Sequence, residues 1–127
     1  MSEQALSHLK VIEFCNFVCG PYCARLLADL GAEVIKIEPP GVGDGARSRG
    51  PFLNDIPNPE RSGLFRYLNT NKLGITLDVK TTTGRDILKE LIKQTDILVE
   101  DNPPKLMKEL RLTYEELREI NPRLFMT

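Results

Sequence analysis

The sequence predicts an α/β fold: a parallel sheet with helices packed on its faces. Three observations carry that expectation. Short apolar, β-branched runs recur at Leu9–Phe14, Glu33–Glu38, Leu73–Val79 and Asp96–Glu100. Helically spaced apolar residues lie between them, and proline, hydroxyl and glycine residues stand where those helices should start or stop. The chain has 127 residues, 41% of them hydrophobic and 28% charged, enough for one ordinary core and unlike the composition of a disordered segment.

The first strand is read over Leu9–Phe14. From Tyr22, the residues Cys23, Leu26, Leu27 and Leu30 share one helical face, with Pro21 in the first turn and Gly31 as the left-handed stop. Glu33–Glu38 is the second strand, ended by Pro39-Pro40, so strand, helix and strand make one βαβ unit. Residues 39–62 are too rich in proline and glycine for regular structure and are read as a long loop. Loops beyond about 12–15 residues usually do or cover something, so this length points toward function. Leu73–Val79 is the third strand, and Thr81–Gly84 starts a helix bearing Ile87, Leu88, Leu91 and Ile92 on one face. Asp96–Glu100 is the fourth strand. A helical turn at Leu106–Leu110, a capping box at Thr113–Glu116 and an apolar start at Arg123–Met126 complete the pattern. Ligands of such sheets sit beyond the carboxyl ends of the strands, so chemistry is sought after Phe14, Glu38, Val79 and Glu100.

Charge and composition exclude several classes. Seventeen basic against eighteen acidic residues leave a net charge of −1, so no basic field exists to hold nucleic acid or an anionic membrane. No apolar stretch approaches the roughly 20 residues of a membrane span. Met1–Lys10 lacks the basic and apolar regions of a secretory signal, and the cytoplasm is the expected location.

Cys15, Cys19 and Cys23 are three thiols within nine residues, a poor disulfide framework. Their spacing matches no ferredoxin or zinc pattern, His8 is the single histidine, and Gly20-Pro21 is expected to interrupt a helix between Cys19 and Cys23. No metal site is expected; buried small thiols are the simpler reading. Gly41, Gly43 and Gly45 do not lie directly between a strand and its helix, so they are not a dinucleotide fingerprint, and no Walker pattern occurs. Lys72 before the third strand and Lys80 at a helix start are the candidates for an anion, with solvated lysines as the plain alternative. No nucleophile-and-base pattern is present.

Taken together, the run Val11–Asp44, with Cys15–Pro21, Asp29–Gly31, Lys36–Glu38 and Gly41–Asp44 in order, resembles the opening of the family III coenzyme A transferases. Asp44–Arg47, Asn69–Lys72, Ile75–Thr81, Gly84–Leu91, Asp96–Glu100 and Leu117–Leu124 continue the likeness, which covers residues 9–127. The resemblance implies a Rossmann-like domain, with residues 1–127 as the N-terminal part of the family's large domain, and an interlocked homodimer in the whole enzyme. It implies transfer of coenzyme A between an acyl-CoA and a carboxylic acid, with coenzyme A thioester as substrate and no separate cofactor. In the family an aspartate attacks the thioester to form a mixed anhydride, which splits one hard step into easier ones. That aspartate is expected beyond Thr127, so the chain reads as an N-terminal fragment that is inactive alone.

By motif position, the resemblance places coenzyme A contacts at Val18, Cys19, Leu77, Asp78, Val79, Lys80, Asp101, Asn102 and Pro103. Lys80 is the leading phosphate partner, and Arg47 would order the long loop or meet nucleotide phosphates. Glu100–Lys105 departs from the usual Glu-Asn-Phe-x-Pro-Gly, losing an aromatic contact and a glycine turn; Glu109 replaces a common basic residue, with Lys105 and Lys108 nearby. The alternatives are an α-methylacyl-CoA racemase-like enzyme, a non-catalytic coenzyme A-binding or dimerisation module, and, least supported by the glycines, half of a nicotinamide-dependent dehydrogenase.

Overall fold

In the computed structural model of the chain, residues 3–127 are described; Met1 and Ser2, the start of the segment read as lacking a signal, lie outside them. Five strands form one sheet: β1 (Lys10–Phe14), β2 (Glu33–Glu38), β3 (Leu73–Thr76), β4 (Ile97–Glu100) and β5 (Phe125–Met126). Their order is β3-β2-β1-β4-β5, and every pairing is parallel. The chain winds outward from β1 in one direction, then crosses back to add β4 and β5 on the other side, which is the Rossmann-like arrangement and puts the switch point between β1 and β4.

Alternation along the strands feeds two layers. On one face Ile12, Ile37 and Leu98 pack with Leu88 and Ile92 of α3 (Thr82–Ile92), Met107 of α4 (Pro104–Glu109) and Leu117 of α5 (Tyr114–Ile120). Each such fully buried aliphatic side chain contributes about 1.5–3 kcal/mol. On the other face Val11, Val34 and Val99 meet Ala24 and Ala28 of α1 (Cys19–Asp29), whose small side chains let the helix lie close to the sheet.

The caps form as the residue types require: Thr81 accepts from the Gly84 amide at the start of α3, and Thr113 with Glu116 makes the expected capping box on α5. Several expectations are corrected. The first helix starts at Cys19, three residues early, and runs through Gly20-Pro21. Pro21 falls in the first turn, where the missing N–H has no intrahelical partner to lose, so it does not interrupt the helix. Residues 39–62 carry no α-helix or sheet strand, but the loop is ordered. They fold into three short 3-10 turns, held partly by the Ser62 hydroxyl, whose single proton is shared between the Ala46 and Arg49 carbonyls, and lead into α2 (Gly63–Leu68), which the sequence reading missed. β3 ends at Thr76, the Leu77 amide makes the last bond to β2 at the Glu38 carbonyl, and Asp78–Val79 turn toward the start of α3. No described helix is long and apolar enough to cross a membrane.

Candidate functional site

At the carboxyl ends of β1, β2 and β3 lies a cleft of about 610 Å³. Phe14, Ile37, Leu77, Val79, Leu106 and Leu110 make its apolar floor. Asn16, Asp44, Ser48, Asp78, Lys80 and Asn102 supply polar groups. That combination of volume, apolar walls and few polar groups is typical of a site for a small organic ligand. Lys80 is exposed beside the N-terminus of α3, where orphan amides and the helix dipole favour an anion.

Three loops shape the cleft, and each is tied to another. Asn102 Nδ2 donates to the Phe14 carbonyl at 2.8 Å, joining the turn after β4 to the end of β1. Asp101 Oδ1 accepts from the Asn16 amide at 2.9 Å, and the Gly45 amide donates to Asn16 Oδ1 at 2.7 Å. Burial raises the Asp101 carboxyl above its ordinary range, although the Asn16 and Gly20 amides pull the other way.

Behind the cleft four charged side chains are buried together. Glu13 and Lys36 are direct register partners on β1 and β2, with Lys36 Nζ donating to Glu13 Oε1 at 2.6 Å. Lys36 Nζ also lies 2.7 Å from Asp44 Oδ2, and Lys72 Nζ lies 2.6 Å from Glu13 Oε2. These last two carboxylate oxygens are held by charge rather than by well-aligned hydrogen bonds. Lys72 completes its shell by donating to the Pro21 carbonyl at 2.7 Å and to Asn69 Oδ1 at 2.8 Å. Burial disfavours both ammonium groups. For Lys36 the two carboxylates outweigh it and hold the group above its ordinary value, whereas Lys72, with one carboxylate, is pulled below.

Of the residues assigned by motif, Leu77, Asp78, Val79, Lys80 and Asn102 line the cleft. Val18, Cys19, Asp101 and Pro103 stand at the adjacent loop and helix starts without lining it. Arg47 lies on the outer side of the glycine-bearing turn, where its guanidinium forks onto Glu38 at 2.7 and 2.8 Å and stacks 3.7 Å from the Phe65 ring centre. Burial opposes the Glu38 charge, but the hydrogen bonds from Arg47 and the Asp44 amide overcome it and hold this carboxyl below its ordinary range. Lys72 is neither a free anion ligand nor a solvated lysine, since Glu13 consumes its charge. His8 is exposed.

The cysteines split. Cys15 is buried and its thiol donates to the Val99 carbonyl at 3.1 Å; Cys19 and Cys23 are exposed, which corrects their reading as buried thiols. Burial pushes the Cys15 thiol strongly up, aided by the nearby charges of Asp101 and Glu13, so it stays protonated and inert.

Sequence inspection missed Glu13 and Lys36. The available signal is their phase. Glu13 shares a face with Val11, and Lys36 with Val34, so both occupy inward positions on neighbouring strands and carry opposite sign.

A parallel α/β sheet with a cleft at its carboxyl edge, rimmed by helix and loop starts, has the architecture in which ligands of such sheets sit beyond the strand ends. Residues 6–127 match the model of CoA-transferase family III, and the chain belongs to that family. It is 42% identical over 123 residues to a formyl-CoA:oxalate CoA-transferase of Bradyrhizobium diazoefficiens, covering 97% of this chain and 28% of the relative. An Escherichia coli protein of the same name is 44% identical over 119 residues, covering 94% of this chain and 28% of the relative. Among solved structures, a CAIB/BAIF family protein from Brucella suis superposes with a TM-score of 0.87 at 33% identity, over 98% of this chain and 33% of that one. A hypothetical protein from Mycobacterium tuberculosis gives the same TM-score of 0.87 at 32% identity, over 99% of this chain and 33% of that one. The chain therefore spans 28% of the length of the curated relatives it matches.

Proposed function

We propose that this chain forms part of the coenzyme A site of an acyl-CoA:carboxylate CoA-transferase. The observation that carries the reading is the cleft itself. Five of the motif-assigned residues line one cavity of about 610 Å³, with Lys80 at the mouth of α3. The apolar floor suits the flat face of a nucleobase, and Lys80 with the helix amides suits its phosphates. The sequence relatives named above, both formyl-CoA:oxalate CoA-transferases, support a coenzyme A thioester as ligand and a carboxylic acid as acceptor.

The described carboxylates at the cleft are occupied by structural tasks. Asp44 pairs with Lys36 and accepts two amides, and Asp78 accepts from the Lys80 amide at 3.0 Å. Neither is placed as a free nucleophile. The 127-residue chain therefore binds coenzyme A without exchanging it, and in the whole enzyme an aspartate outside these residues attacks the thioester while the thiolate of coenzyme A leaves. Whole-enzyme homodimerisation and a cytoplasmic site of action belong to the same proposal.

Calorimetric titration of the chain with coenzyme A tests the reading. Binding is expected, weakened about three- to tenfold by Lys80→Gln and steeply reduced by salt. Absence of binding, or binding indifferent to Lys80 and to salt, overturns it.

A further inference from the structure

We propose that Lys36 and Asp44 are positioning residues that set the shape of the cleft rim, an inference that rests on the coenzyme A reading of that cleft. Asp44 divides its oxygens between two tasks. Oδ2 meets Lys36 Nζ at 2.7 Å, while Oδ1 accepts from the Phe17 amide at 3.0 Å and the Ala46 amide at 2.7 Å. One carboxylate thus fixes the loop after β1 and the turn after β2 to each other. Its 3% exposure leaves water little part in that work.

The loop it holds is strained. Phe17 sits at φ 72°, in the left-handed region that a residue with a Cβ rarely adopts. Nothing intrinsic to phenylalanine favours that conformation; the amide pointed at Asp44 does. Holding Phe17 there carries the neighbouring Asn16 into place, where its side chain takes the Gly45 amide and its own amide reaches Asp101. Asn16, Asp44 and Gly45 all line the cleft. Lys36 is the anchor of this arrangement, because its ammonium is fixed from below by Glu13 on β1 and cannot follow a moving loop. The chain of dependence runs from sheet to Lys36, to Asp44, to Phe17 and Asn16, and so to the rim.

The test uses the intact 127-residue chain and three variants. Asp44→Asn keeps an oxygen for the two amides but loses the charge pairing; Asp44→Ala loses both; Lys36→Met with Asp44→Asn removes both charges and leaves Glu13 paired with Lys72. Amide exchange is measured at Phe17, Gly45 and Ala46 against Leu98 and Val99 in β4, alongside thermal unfolding and coenzyme A affinity. Rim amides are expected to exchange about tenfold faster in Asp44→Asn and faster still in Asp44→Ala, with unchanged β4 amides and affinity falling in the same order. The double variant is expected to regain melting temperature while its rim stays mobile and its affinity low. A purely structural pair would instead restore rim, affinity and stability together, and that result overturns the proposal. Unchanged rim exchange in Asp44→Ala also overturns it. Failure of the unmutated chain to bind coenzyme A overturns the functional reading alone, and the exchange pattern then decides the proposal by itself.

Discussion

Replacing Glu13 by Gln removes one negative charge from the buried cluster while keeping nearly the same shape. In the native structure Glu13 is fully buried and touches two ammonium groups, at 2.6 Å each. After the change Lys36 retains Asp44, but every partner of Lys72 is neutral: the Pro21 carbonyl, Asn69 Oδ1 and at most the introduced amide oxygen, around a side chain 2% exposed. Breaking a buried ion pair by removing one partner typically costs about 3–5 kcal/mol, because the other charge stays buried and unpaired. For a domain of this size that is a fall in melting temperature on the order of 10–25 °C. The cost carries a pH signature. Lys72 already lies below its ordinary value of 10.5, and loss of Glu13 lowers it further. Between that depressed value and 10.5 the unfolded state binds more protons than the folded one, so the stability of the variant rises with pH relative to the native chain. Urea unfolding of both proteins from pH 7 to pH 10 should show a gap that narrows. A loss under about 1 kcal/mol, or a gap independent of pH, would refute the reasoning.

Three further outcomes are expected. Glu38, held below its ordinary value of 4.5, contributes stability that is complete above that pH and fades as pH falls through its lower folded value; Glu38→Gln should therefore flatten the acid limb of the stability curve, and an unchanged limb would count against the Arg47 fork. Gly84→Ala drives a Cβ into the Asp78 carbonyl, and overpacking there should cost about 1–3 kcal/mol in denaturant unfolding, with a neutral effect showing that this turn yields. A thiol reagent should titrate Cys19 and Cys23 in the native chain and reach Cys15 only on unfolding; rapid reaction at all three would contradict the burial of Cys15.

Much of the scaffold was legible because local and tertiary preferences agree there. β2 falls on Glu33–Glu38 as read, and Thr81 and Thr113 cap the helices their hydroxyls announce. The failures share a different cause. Pro21 and Gly20 look like breakers but sit in a first turn, where neither costs an internal hydrogen bond. Leu77–Val79 alternate like a strand, yet pairing stops after the Leu77 amide and the residues become cleft lining and helix approach. α2 is six residues long and capped by Ser62, whose partners Ala46 and Arg49 are distant in sequence. Charges within apolar strands pass for surface residues unless their phase is checked, which is how Glu13 and Lys36 escaped notice. The cleft residues at 77–80 and Asn102 were reachable through motif position, whereas the ties between loops depend on three-dimensional pairing that spacing does not encode.

The most direct measurement is a map of backbone amide shifts in the 127-residue chain on titration with coenzyme A. Saturable shifts at Leu77–Lys80, Asn102 and Gly43–Ser48, weakened in Lys80→Gln, are the expected result. Shifts confined to the groove at the opposite end of the sheet, around Lys10, Glu33 and Gln94, or no saturable shifts at all, would contradict the assignment of the cleft.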